Sequence, residues 1–124
     1  MKWVVDSCGW IEYFTKGTLV ASFRPYLRDI SQCIVPTLVQ YELYKWVYRN
    51  HGELKADEIL ATSKQGYVSE LDTELALSAA IISSENRLAM ADAIVYATAV
   101  KHKVSLITSD AHFASLPGVT YLKK

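Results

Sequence analysis

The sequence predicts an α/β fold: a central parallel sheet of four to five strands, flanked by helices and carrying a helical hairpin. Three observations predict it. Short apolar runs alternate with longer stretches of helical pattern, as in parallel strands joined by crossover helices. The length, 124 residues, suits one domain and one core spanning residues 1–124. Hydrophobic residues make up 51% of the chain, enough to fill that core and too many for a disordered segment.

The elements follow in order. Lys2 to Val5 reads as a short buried strand. Cys8 to Phe14 is a short helix, stopped at Gly17. Leu19 to Ile30 is helical in pattern, with Pro25 expected to break or restart it. Cys33 to Val35 is the second strand, closed by Pro36. Thr37 is the expected N-cap of a long helix from Leu38 to about Asn50, and Gly52 suits its C-terminal end. Glu53 to Lys64 gives a second helix, so the two form the hairpin. Tyr67 to Leu71 is a short strand. Asp72 caps a helix running to about Glu85, and a further helix covers Ala91 to His102. Ser105 to Thr108 is a strand, and Val119 to Leu122 closes the sheet after Pro117-Gly118. There is no internal repeat, linker or low-complexity stretch.

Thirteen basic side chains balance thirteen acidic ones. With no global basic field, a nucleic-acid partner has to be held by a local patch, or by a metal that does the gripping. Cys8 and Cys33 lie beside apolar segments and read as reduced core residues. The start, Met1 to Asp6, is too short and too soon charged for a signal peptide. No apolar run approaches the roughly 20 residues of a membrane span. A cytoplasmic protein is expected, with no membrane partner.

Four carboxylates stand where such a fold brings side chains together: Asp6, Glu42, Asp92 and Asp110. Asp6 follows the run Trp3-Val4-Val5, and Asp110 follows Ser105 to Thr108. Ligands of open α/β sheets bind outside the carboxyl ends of the strands. Each of these two, alone, is also what a turn or a helix cap uses. Glu42 is harder to explain that way. Stepping about 100° per residue puts it inside the arc of Leu38, Val39, Leu43, Trp46 and Val47. A carboxylate in a core-facing stripe has to be paired, protonated or bound to a metal. Asp92 is the only charge between Leu88 and Val100, so it too is expected to be buried, with an N-cap role as the simpler alternative. Two unit charges about 4 Å apart repel by roughly 4 kcal/mol at an effective dielectric near 20. A cluster of four acids therefore asks for compensation, which a divalent cation supplies. Such a cation suits phosphoester hydrolysis: it polarises the phosphoryl group and yields hydroxide from a bound water.

Four segments carry a family resemblance. They are Val4-Val5-Asp6-Ser7, the Glu42-Leu43 pair, Ala91-Asp92-Ala93-Ile94-Val95-Tyr96-Ala97-Thr98-Ala99, and Leu106-Ile107-Thr108-Ser109-Asp110-Ala111-His112-Phe113. Together they resemble the PIN domain, and in length and order the VapC-type toxins of toxin–antitoxin modules. The resemblance implies a divalent-metal-dependent endoribonuclease using Mg²⁺ or Mn²⁺, with RNA as substrate. It also implies inhibition by a small cognate antitoxin, and a homodimer. By position, Asp6 and Asp92 correspond to the principal metal ligands, and Glu42 and Asp110 complete the pocket directly or through water. Thr108 matches the family's hydroxyl, which orients Asp110 or a water, and Ser7 matches a similar role. Cys8 departs from the small hydroxyl residue common beside Ser7, a change expected to affect packing more than chemistry.

Three other features have two readings each. Lys45 and Arg49 share an edge of the Glu42 helix, and contact RNA phosphates or simply face solvent. Tyr41, Tyr44 and Tyr48 form a second stripe, suited to an interface or to packing on the hairpin partner. His51, His102 and His112 are too scattered for a zinc site; His112, two residues after Asp110, is within reach of a substrate or sits on the surface. The rival functions are a PIN nuclease of RNA processing, an inactive PIN-like binding module, and a phosphotransfer domain with Asp6 as nucleophile. The last wants a second Asp two residues on, where Cys8 stands.

Overall fold

The computed structural model describes residues 1–124. Five short strands, β1 (Trp3–Val5), β2 (Cys33–Pro36), β3 (Tyr67–Ser69), β4 (Ser105–Thr108) and β5 (Val119–Tyr121), form one sheet in the order β3-β2-β1-β4-β5. Every pairing is parallel. Strands of such a sheet, covered on both faces, read as continuous apolar runs rather than alternating ones. That is why Val4, Val5, Ile34, Val35, Leu106 and Ile107 are all buried.

Six helices flank the sheet: α1 (Ser7–Phe14), α2 (Val20–Leu27), α3 (Thr37–His51), α4 (Glu53–Ser63), α5 (Thr73–Asn86) and α6 (Met90–His102). They pack in chain order as pairs, α1 on α2, α3 on α4 and α5 on α6. The expected hairpin is α3–α4, turned at Gly52, whose φ of 88° lies in the region that favours glycine. Fully buried Trp10, Phe23, Phe113 and Leu106 anchor the core.

Three local expectations differ from the structure. The second helical stretch runs through Pro25 and ends at Leu27; Ile30–Gln32 is a separate 3-10 turn capped by Asp29. A proline removes one helix bond, and here the helix stops two residues later. Thr37 is the first helical residue rather than the cap, a place taken by Pro36. Its hydroxyl instead accepts from the Leu71 N–H at 3.3 Å, tying α3 to the segment after β3. The third strand ends at Ser69, short of Leu71.

The strand order sets the place of the site. From β1 the chain moves outward through β2 to β3, then returns to the other side of β1 as β4 and β5. The direction of winding therefore reverses between β1 and β4. A crevice opens at the carboxyl ends of strands at such a reversal.

Candidate functional site

Asp6 and Thr108 stand at that reversal. The register Val5↔Ile107 is carried one residue further by an Asp6 N–H bond to the Ile107 carbonyl at 3.0 Å. Asp6 thus leaves β1 beside Thr108 as it leaves β4. Asp6 is only 5% exposed. Its Oδ1 accepts from the Ser7 N–H at 2.8 Å, capping α1, and its Oδ2 accepts from the Thr108 hydroxyl at 2.9 Å. Cys8 Sγ lies 3.6 Å from the same Oδ2. The simpler cap reading of Asp6 is therefore correct as geometry, yet it does not exhaust the carboxylate, because Oδ1 retains a second lone pair. A buried carboxylate held at both oxygens is a poor nucleophile, which counts against the phosphotransfer rival.

Asp110 lies two residues beyond the end of β4. Its N–H donates to Thr108 Oγ1 at 2.9 Å, and its Oδ1 accepts from the His112 N–H at 2.9 Å. It thereby caps the 3-10 turn Ala111–Phe113. Phe113, completely buried, pins that turn to the core. The Thr-x-Asp-x-x-Phe pattern thus has a mechanical reading: a hydroxyl at the strand end, an acid at the turn, and an apolar plug that fixes both.

Glu42 and Asp92 come from helices. Glu42 is half-buried in the second turn of α3, between buried Val39 and Leu43. Asp92 lies in the first turn of α6, before the buried run Ala93 to Ala99. It is not the N-cap. Ala89 holds that position, and no side chain caps the helix.

The four acids lie close enough for their charges to act on one another. Burial pushes the Asp6 carboxyl up, with Asp92 and Asp110 adding to the rise and the Thr108 and Ser7 bonds opposing it. Burial also pushes Glu42 up, with help from the charges of Asp6, Asp92 and Asp110. Asp92 is raised by burial and then by Asp110, against the pull of His112. No lysine or arginine forms an ion pair with any of the four. The donor set is hard oxygen, crowded and short of positive charge, and it fits a divalent cation.

His112 is the residue that sequence reading did not place. It is exposed, yet its Nδ1 lies 3.2 Å from Asp110 Oδ1 and 3.5 Å from Asp92 Oδ2. The other two histidines are elsewhere: His51 lies against Trp46, and His102 is 3.1 Å from the Ser69 hydroxyl.

Beside the acids, a cleft of about 320 Å³ is lined by Ser7, Ile11, Glu42, Lys45, Arg49, Tyr41 and Trp46. Lys45 also sits over the Tyr41 ring at 5.8 Å. The tyrosine stripe is divided in its contacts. Tyr44 bonds Asp57 of α4 at 2.8 Å, the hairpin packing, while Tyr41 and Tyr48 stay exposed. No helix is long and apolar enough to cross a membrane.

The family model described as PIN domain matches residues 3–119. A chain from a toxin–antitoxin complex of Klebsiella pneumoniae has TM-score 0.81 and 23% identity, covering 99% of this chain and 100% of that one. The Mycobacterium tuberculosis protein VapC20, a sarcin–ricin loop cleaving toxin, has TM-score 0.77 and 16% identity, covering 99% and 100%. A chain of VapBC2 from Rickettsia felis, solved with a promoter DNA fragment, has TM-score 0.76 and 12% identity, covering 99% and 98%. At these identities the likeness is one of fold. No curated protein sequence matches the chain.

Proposed function

The chain belongs to the PIN domain family, and from that premise we propose that it is a divalent-metal-dependent endoribonuclease, the toxin of a type II toxin–antitoxin pair acting in the cytoplasm. One observation carries the reading. Four carboxylates from two strand ends and two helices converge where the sheet reverses, and no lysine or arginine pairs with them. The fold neighbours that are toxins or toxin–antitoxin complexes support the biological role.

In this reading Asp6 and Asp92 hold the cation, and Glu42 and Asp110 complete its surroundings directly or through water. When bound, Mg²⁺ or Mn²⁺ supplies charge neutralisation at the scissile phosphate and an acidified water. The protein's own contribution is positional. Thr108 orients Asp6 and the backbone at Asp110 at once. Ser7 fixes the other Asp6 oxygen through its N–H. Lys45 and Arg49, along the cleft beside Glu42, face the strand's phosphates and register it without reading bases. An antitoxin fits the same pocket most economically with a basic side chain, since arginine matches carboxylates with two parallel hydrogen bonds. A homodimer is part of the reading: exposed Leu77 and Ile81, one turn apart on α5, present apolar surface of the kind a second copy covers.

The test has two arms. Purified protein with Mn²⁺ or Mg²⁺ cleaves RNA, whereas Asp6→Asn and Asp92→Asn fold but do not. Expression alone slows growth, and co-expression of the neighbouring reading frame restores it. Wild-type cleavage by both variants removes the metal-site reading. A neighbour that binds nothing leaves a nuclease and moves its role to RNA processing.

A further inference from the structure

We propose that His112 is itself a ligand of the metal ion, which makes the pocket a mixed oxygen–nitrogen site that favours Mn²⁺ and similar transition ions over Mg²⁺. The inference rests on the reading of the pocket as a metal site, and deepens it.

The geometry is the first argument. His112 Nδ1, an Asp110 oxygen and an Asp92 oxygen all lie within 4.8 Å of one another. The nitrogen is 3.2 Å from Asp110 Oδ1 and 3.5 Å from Asp92 Oδ2. Two ligands each roughly 2.1 Å from one ion are about 3.0 Å apart at a right angle and about 3.4 Å apart at the tetrahedral angle. Both distances from the nitrogen already stand near the spacing of ligands around a single cation, and the three groups are close enough together to reach one.

The second argument is how the residue is held. The His112 N–H donates to Asp110 Oδ1 at 2.9 Å. The next residue, Phe113, is completely buried. Backbone and plug together fix where the imidazole starts from, although the ring is 75% exposed. A charged pair at that exposure contributes little to folding. Stability therefore gives weak reason for a histidine there, and ligation gives a specific one.

The third argument is chemical. Imidazole suits first-row transition ions, whereas Mg²⁺ prefers oxygen and keeps several waters. A carboxylate-only pocket discriminates little on this ground. One nitrogen changes that.

Pulsed electron paramagnetic resonance on Mn²⁺-loaded protein tests the proposal, together with calorimetric titration of Mn²⁺ and of Mg²⁺ into wild type and His112→Ala. The wild type is expected to show ¹⁴N coupling that His112→Ala lacks. Mn²⁺ affinity should fall about tenfold or more in the variant, and Mg²⁺ affinity by clearly less. Because the ring is exposed, the metal-free variant should melt like wild type. Mn²⁺ bound without nitrogen coupling, at equal affinity in both proteins, overturns the role of His112 and leaves the pocket standing. Failure of Mn²⁺ to bind either protein overturns both.

Discussion

The Thr108 hydroxyl donates to Asp6 Oδ2 at 2.9 Å, joining the ends of two adjacent strands across 102 residues of sequence. The hydroxyl oxygen of Thr108 in turn accepts from the Asp110 N–H at 2.9 Å. One buried hydroxyl thus serves two acids, as donor to one side chain and acceptor for the backbone of the other. Thr108→Val keeps the shape and removes both bonds. It leaves the Asp110 N–H without a partner and Asp6 Oδ2 with only the weak Cys8 thiol donor, at about 1–3 kcal/mol. Urea unfolding should show a loss in that range, with weakened metal binding. Thr108→Ser, which retains the hydroxyl, should recover most of both.

The pH dependence of stability should reverse sign with metal. Asp6, Glu42 and Asp92 have folded values raised above the ordinary 3.8 and 4.5, burial being the largest cause in each. The folded state therefore holds protons that the unfolded state has released. That stability is complete below the unfolded values and is lost as pH rises through the raised folded ones. Asp29 and Asp72, lowered by hydrogen bonds, act oppositely but only below about pH 4. His102, lowered by burial, acts oppositely nearer its ordinary 6.5. As pH rises above the ordinary carboxylate range and through the raised folded values, the metal-free protein should lose stability. With saturating Mn²⁺ it should gain, because ligands must shed protons to bind. Melting temperatures across that range, in chelator and in metal, check both slopes.

Asp92→Asn should melt at or above wild type when metal is absent. The raised Asp92 value means that its charge is unfavourable in the fold, and no capping bond is lost with it. The gain is on the order of 1 kcal/mol for a partly solvated group. Metal at about 100 times its dissociation constant adds roughly 2.7 kcal/mol to wild type. The variant, short of a ligand, should gain less, so the order inverts. An equal response of both proteins in a thermal melt would show that Asp92 holds no metal.

Gly9→Ala should destabilise without touching a carboxylate. A Cβ there would lie 2.5 Å from Phe23 Cε1 and 2.7 Å from Val5 Cγ1, all in the core. Overpacking of this kind costs about 1–3 kcal/mol. Since the Gly9 N–H bonds the Asp6 carbonyl at 2.9 Å, displacing α1 also disturbs the acid that caps it. Denaturation should show the loss, and Mn²⁺ titration a weaker site.

Much of this was legible in the sequence, for identifiable reasons. The strands were visible because burial on both faces leaves unbroken apolar runs, as at Leu106-Ile107. Glu42 and Asp92 stood out because each interrupts a helix face that is otherwise apolar. Thr37 misled because a threonine before a helix looks like a cap, and its true partner, Leu71, is 34 residues away. His112 was not assignable. Its direction depends on a 3-10 turn and on the seating of Phe113, neither of which has a periodicity to read.

The strand order has a consequence for the protein during its own synthesis. β1 emerges first from the ribosome but lies between β2 and β4 in the finished sheet. Asp6 gains its Thr108 partner only after the next 102 residues have been translated, and the cluster gains Asp110 two residues later still. A chain that has not reached β4 carries at most three of the acids, without the strand that gathers them. The gathered cluster is therefore a property of the chain only once β4 and the turn after it have been made.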